Sequence, residues 1–248
     1  MKKFEDKVAL VTGASGGIGA EIATQLAAEG ATVALHYGGN KSSAESTLAT
    51  IESAGGNGKV FQANVADVAD IRQLFKEIDE AYGQLDILVN NAGILMQKPM
   101  AEVAEAEYDK LWAINTKGYF FCIQEAAKRL GEGGRIINIA SALAYSNRPG
   151  TSIYAASRSA IYNYTRVASM ELGEKGITVN SVSPGPVSPG IFDSIGIPPE
   201  MKEMVKNLSP FKRIGTPNDI AGIVSFLASD DARWVTGQDI LVTGGARP

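Results

Sequence analysis

Cysteine is almost missing from this 248-residue chain, where Cys122 stands alone. A single thiol excludes a disulfide within the chain and fits a reducing compartment, so a cytoplasmic address is expected. Cys122 lies in the apolar run Tyr119-Phe-Phe-Cys-Ile123, which reads as a small packed core residue. Histidine is equally scarce: His36 is the only one, mid-strand, and reads as packing or polar filler. Positive charge is not in excess, with 23 Lys and Arg against 27 Asp and Glu and a net charge of −4. That balance argues against nucleic acid or an anionic membrane as partner. No apolar run approaches the ~18 residues of a membrane span, and no signal peptide is expected before Phe4. No repeat, linker or low-complexity stretch interrupts the chain, so residues 1–248 read as one domain. No metal site is expected.

What is present is an alternation. Short β-branched apolar runs cover Val8–Val11, Thr32–Tyr37, Lys59–Ala63, Ile87–Asn90, Arg135–Ile139, Thr178–Val182 and Ile240–Val242. Helical patterns lie between them near 17–29, 42–54, 67–82, 102–130, 152–174 and 216–229. Strands alternating with helices predict an α/β fold: a doubly wound, parallel, seven-stranded sheet with helices on both faces. Gly55-Gly-Asn-Gly58 reads as a surface turn, and Thr216-Pro217 as the cap and first residue of the last helix. The first strand runs at once into Gly13-Ala-Ser-Gly-Gly-Ile-Gly19 and then into helical composition. Strand, glycine loop and helix together aim backbone N–H groups at a phosphate, although such a loop is also a common tight turn.

A second cluster lies further on. In Ser152-Ile-Tyr-Ala-Ala-Ser-Arg158, Tyr154 and Arg158 are one helical turn apart on one face, with Ser141 upstream. A cation beside a phenol favours the phenolate and suits it to proton transfer, while Tyr-x-x-x-Arg alone is ordinary helix surface. Segments 14–18, 91–96, 141–151 and 184–209 begin at the carboxyl ends of expected strands, where such sheets bind ligands.

These residues together resemble the short-chain dehydrogenase/reductase family, nearest to its 3-oxoacyl-ACP reductase-like branch. Thr12, Gly13, Gly17 and Gly19 match the family's glycine motif, and Asn90-Asn91-Ala92-Gly93 its N-N-A-G. Asn115, Ser141 and Tyr154 match its catalytic Asn, Ser and Tyr; Pro184-Gly185 and the closing segment to Gly245 match two more stretches. The resemblance implies a nicotinamide dinucleotide, with Ser15 and Ile18 at its pyrophosphate, Asn64 and Val65 near its adenine, and Asn91, Ala92 and Gly93 along its path. It implies that Tyr154 donates a proton to a carbonyl oxygen, that Ser141 holds that oxygen, and that Asn115 holds a water. It also implies a homotetramer.

Cofactor choice turns on the end of the second strand. An acidic residue there would select NAD, but the place falls near Tyr37 and no carboxylate is close. Asn40, Lys41, Ser42 or Ser43 could meet a 2′-phosphate at a helix N-terminus, so NADP(H) is expected over NAD(H).

Two departures stand out. The family has Lys where this chain has Arg158, which keeps the charge but cannot release a proton. The family often has Thr where Pro189 stands, so Ser188 or the Val187 backbone would have to contact the carboxamide. Three readings follow: an active reductase, a dinucleotide-binding paralogue with weak or lost catalysis, and a family enzyme of different chemistry. The expected substrate lid, 188–209, is apolar around Ile191–Pro199 apart from Asp193, and Ile94, Leu95, Met96, Leu143 and Tyr145 would extend its wall. A neutral or greasy carbonyl or alcohol compound fits such a pocket, while Arg148 at the mouth could hold an acidic one.

Overall fold

The computed structural model describes residues 2–146, 148–193, 196 and 198–246. Seven parallel strands form one sheet: β1 (Val8–Val11), β2 (Thr32–Tyr37), β3 (Asn57–Gln62), β4 (Ile87–Asn90), β5 (Arg135–Ile139), β6 (Thr178–Pro184) and β7 (Asp239–Val242). Their order is β3-β2-β1-β4-β5-β6-β7. The chain starts in the middle, winds outward to β3, then crosses back to the other side of β1. The reversal between β1 and β4 opens a crevice at the carboxyl ends of these strands, the place where doubly wound sheets take ligands.

The period of two along each strand feeds two cores. Ala9 and Val11 of β1, Val33 and Leu35 of β2 and Ile137 and Ile139 of β5 face one cluster. That cluster is closed by α1 (Gly17–Ala28) and α8 (Pro217–Ala228), through Ile22, Leu26, Val224 and Leu227. Leu10, Ala34 and Ile136 face the other, with Ile71, Leu74 and Phe75 of α3 (Val68–Tyr82) and Cys122 of α5 (Gly118–Ala127). Cys122 is the packed residue its setting suggested, and burial pushes its thiol up to about 12. Because both faces of the sheet are covered, its central strands read as continuous apolar runs. At the start of α8 the Asp219 carboxylate accepts from the Thr216 amide at 2.7 Å and from its hydroxyl at 2.9 Å. Among the described residues, no helix is long and apolar enough to cross a membrane.

Besides shifts at element ends, such as β6 running on to Pro184, three elements differ from the sequence expectation. The helix expected over 102–130 is broken into α4 (Glu105–Trp112), a π-helical turn at Ala113–Lys117, and α5. The break centres on Asn115, whose side chain leaves the helix to bind another loop; such a bulge is how a helix turns a residue to that use. β3 begins at Asn57, inside the expected glycine turn. Gly58 pairs with Val33 there, and a Cβ on it would stand 2.7 Å from the Val33 carbonyl oxygen. Within the expected lid lies an unforeseen helix, α7 (Pro199–Leu208). Its signal was available: Pro199 at the first position and Met201, Met204, Val205 and Leu208 at helical spacing.

Candidate functional site

The crevice begins where β1 enters α1. Gly13 and Gly17 take φ of +67° and +53°, the left-handed region that glycine enters without strain. The first turn of α1 is held close to the end of β1: a Cβ on Gly19 would overlap the Gly13 carbonyl oxygen and the Asn91 side-chain nitrogen. Asn91, just past β4, donates from Nδ2 to the carbonyls of Thr12 at 3.0 Å and Gly13 at 3.1 Å. Thr12 Oγ1 accepts in return from the amides of Asn91 and Ala92, at 2.9 and 3.0 Å. The two central strand ends are thus laced together, with the helix N-terminus aimed across them, a setting that favours an anion.

His36 is more than filler. Its Nδ1 accepts from the Gly13 amide at 3.1 Å, so the ring proton sits on Nε2, 3.0 Å from the Ala63 carbonyl. Burial pushes its pKa down to about 4, and the ring is neutral near pH 7. An unfolded histidine titrates near 6.5, so between pH 6.5 and 4 only the unfolded chain takes up this proton. Stability present above pH 6.5 should therefore be lost as pH falls through that window, by about 3 kcal/mol from this one group. Denaturant unfolding at pH 7 and 4.5 checks it: His36→Gln should show a visibly smaller drop than the natural chain. Equal drops would remove His36 as the cause.

A cavity of about 410 Å³ runs from the glycine loop past the ends of β4, β5 and β6. Gly13, Ser15, Ile18 and Gly19 line it at one end, and Asn91, Ala92 and Gly93 follow. Ser141, Tyr154, Arg158, Pro184, Gly185 and Val187 line it further on. Leu95, Leu143, Ile191, Phe192, Val205 and Leu208 make much of the remaining wall, with Arg148 among them. Of the other expected wall residues, Ile94 gives its backbone to Asn115, and Tyr145 donates from its hydroxyl to Asp239 at 2.7 Å. Neither they nor Met96 line the cavity. Ser194, Ile195 and Ile197 of the expected lid lie outside the described residues.

The remaining expected cofactor residues do not line this cavity. Gly17 opens α1 beside the Gly190 backbone. Tyr37 is buried at the end of β2. Asn40 caps α2 (Lys41–Ser53), accepting from the Ser43 amide and the Ser42 hydroxyl, both at 3.1 Å. Lys41 is exposed, 3.5 Å from Glu45. Asn64 accepts from the Ala66 amide at 3.1 Å as an exposed turn residue, and Val65 is buried beside Gly118.

Asn115 is wholly buried. Its Oδ1 accepts from the Ile94 amide and its Nδ2 donates to the Ile94 carbonyl, both at 2.9 Å, which fixes the loop after Gly93. It also lies 3.4 Å from the Ser157 hydroxyl, which donates to the Tyr154 carbonyl at 2.7 Å. Tyr154 is 5% exposed on α6 (Ser152–Leu172). Ser141 follows β5; its Oγ accepts from the Leu143 amide at 3.2 Å, leaving its proton able to point elsewhere. Ser188 donates to Asp193 at 3.1 Å, and its amide binds the Gly215 carbonyl. Of the two expected substitutes for a threonine at 189, the hydroxyl is thus engaged, and the Val187 backbone lies at the cavity wall.

Arg158 is 4% exposed, and no carboxylate pairs with it among the described residues. Its Nη1 donates to the Tyr119 hydroxyl at 3.0 Å and to the Ile139 carbonyl at 3.3 Å. Its Cζ lies 5.4 Å from the Tyr119 ring centroid and 5.3 Å from that of Tyr154, a cation between two phenols. Burial works against this charge, but the phenol oxygens of Tyr119 and Tyr154 outweigh it and hold the pKa above its ordinary value. Sequence reasoning missed Tyr119. The available signal was a phenol one helical turn after Asn115, in an otherwise apolar run.

Known proteins with this architecture are numerous. Residues 13–247 match the family described as Enoyl-(Acyl carrier protein) reductase. The 3-oxoacyl-[acyl-carrier-protein] reductase FabG of Staphylococcus aureus is 42% identical over 241 residues, covering 96% of this chain and 97% of that one. The crystal structure of the angucycline C-6 ketoreductase LanV with bound NADP is 39% identical with a TM-score of 0.93, covering 99% of this chain and 97% of that one. A blue fluorescent protein from a metagenomic library, in complex with NADPH, is also 39% identical, with a TM-score of 0.94 and full coverage of both chains.

Proposed function

The chain belongs to the short-chain dehydrogenase/reductase family, and from that premise we propose that it is an NADP(H)-dependent reductase of an apolar carbonyl compound, or the corresponding alcohol dehydrogenase. The observation that carries this reading is the shared cavity: the glycine loop, Ser141, Tyr154 and Arg158 line one space. The loop fits a dinucleotide, because α1 approaches β1 so closely that Gly19 has no room for a Cβ. The absence of a carboxylate at the end of β2 and the bound NADP and NADPH of the related structures support NADP(H). Bound NADPH supplies a hydride to the carbonyl carbon.

The chain's own residues then deal with the oxygen. Ser141 donates a hydrogen bond to it and holds it in line. Tyr154 gives the oxygen a proton as negative charge develops, acting as general acid, and takes one back in the oxidative direction. Arg158 keeps a fixed positive charge beside that phenol, and both side chains are nearly buried, where such a charge counts most. Arginine cannot pass a proton on, so its part is electrostatic and geometric. Asn115 acts at a distance by fixing the Ile94 backbone and, through Ser157, the Tyr154 carbonyl.

The guanidinium supports a second reading as well, in which the chain binds the dinucleotide but turns over little. Arg158 Nε is buried with no acceptor among the described residues, a sign that the fork is not fully matched to its place. One comparison separates the readings: NADPH and NADH binding and oxidation by the natural protein and by Arg158→Lys, over one panel of ketones, aldehydes and ketoacyl esters. Turnover by the natural protein with NADPH is expected. Turnover only after the change to lysine, with NADPH bound by both, would favour the binding paralogue. Tighter binding of NADH would overturn the cofactor assignment.

A further inference from the structure

We propose that Tyr119 is a positioning residue for the reaction: its hydroxyl, braced on the Ile139 carbonyl, holds the Arg158 guanidinium so that the cation faces the cavity beside Tyr154. The proposal rests on the reductase reading and adds to it a residue from a different helix. Tyr119 is 2% exposed on α5, and its hydroxyl has two partners. It donates to the Ile139 carbonyl at 2.9 Å and accepts from Arg158 Nη1 at 3.0 Å. Ile139 ends β5, two residues before Ser141. The phenol therefore ties the buried cation to the strand end that carries the substrate-holding serine.

The bonding of the guanidinium is one-sided. Nη1 has two oxygen partners, Tyr119 and Ile139. Nε has none among the described residues. Nη2 is beside Gly93, in the space a Cβ on that residue would occupy, and Gly93 and Arg158 both line the cavity. With Nη1 pinned, a planar fork has its second amine direction set as well. Without the Tyr119 hydroxyl, Nη1 would keep only the 3.3 Å contact to Ile139, and the fork would be held by that carbonyl and the Tyr154 phenol alone. Lysine at 158 would end one bond short of Nη1, so it would gain little from this phenol. Tyr119 and Arg158 therefore act as a pair, a device for using arginine where the family has lysine.

The test uses the full chain as four proteins: natural, Tyr119→Phe, Arg158→Lys and the double variant. Phenylalanine preserves the buried ring and removes only the hydroxyl. Direct fluorescence titration gives NADPH dissociation constants, NADPH oxidation over the carbonyl panel gives kcat and KM, and thermal melting monitors the fold. Tyr119→Phe should lower kcat by about tenfold and weaken NADPH by several-fold, with the carbonyl KM little changed. In the Arg158→Lys background the same change should alter kcat by less than about twofold. Unchanged kcat and NADPH affinity in Tyr119→Phe, or the same loss in both backgrounds, would overturn the proposal whatever the melting temperature does. If the natural protein binds NADPH but reduces nothing, the reductase reading falls and NADPH affinity alone decides the role of Tyr119. If it does not bind NADPH, both fall.

Discussion

Tyr154→Phe should fold, bind NADPH and lose nearly all carbonyl reduction, with kcat down by about 10³-fold. The ring is buried against the cavity wall, and its face lies 5.3 Å from the Arg158 guanidinium carbon. Phenylalanine preserves that volume and that ring contact. Only the hydroxyl goes, and with it the proton donor that the proposed mechanism places beside the substrate oxygen. In the proposed reaction negative charge would develop on the carbonyl oxygen, and without the phenol its assigned proton donor would be missing. In the proposed mechanism Ser141 would still hold the oxygen and account for the residual rate. Steady-state kcat, the NADPH dissociation constant and a melting curve check the prediction together. A kcat within about threefold of the natural protein, with the fold intact, would remove Tyr154 as the acid.

Gly19→Ala should abolish NADPH binding and cost about 3 kcal/mol of stability, the upper range for a forced overlap in a packed interior. The added methyl would meet the Gly13 carbonyl oxygen and the Asn91 side-chain nitrogen. Neither can step aside cheaply. Gly13 is backbone whose amide binds His36, and Asn91 spends its Nδ2 on the carbonyls of Thr12 and Gly13. To make room, α1 must back away from β1, which would withdraw its N-terminal amides from where the pyrophosphate is proposed to bind. Gly222→Ala on α8, whose Cβ would meet nothing within 4 Å, serves as the control and should hold or raise stability. Denaturant unfolding and NADPH titration of both variants decide the matter. A Gly19→Ala protein of natural stability and affinity would mean that the approach of helix to strand is looser than this geometry.

Local pattern alone carried the fold a long way. The apolar runs of β1, β2, β4 and β5 begin and end where the sequence expectation put them, because a strand covered on both faces must be apolar throughout. Tyr154 and Arg158, one helical turn apart, were legible as a pair only through the motifs around them, since that spacing alone is ordinary helix surface. The glycine loop was legible because strand, left-handed glycines and helix follow one another directly. The boundary of β3 was not, since this edge strand takes its start from pairing with β2, which outweighs the turn preference of its glycines.

What the tertiary structure decided lies between residues far apart in the chain. The turn at Asn115 deforms because its amide finds Ile94, 21 residues away. His36 became a support of the glycine loop only when β2 was laid beside β1, which brought Gly13 to its ring. Tyr119 and Arg158, 39 residues apart, meet because α5 and α6 cover the same end of β5. Periodicity reports which face of an element is apolar, and so the sequence by itself determined the layers of this protein, while its resemblance to a known family pointed to most of the side chains that line its cavity. Which polar atom a buried donor reaches depends on which elements end up as neighbours, so the cradle around the Arg158 cation was decided by the packed fold.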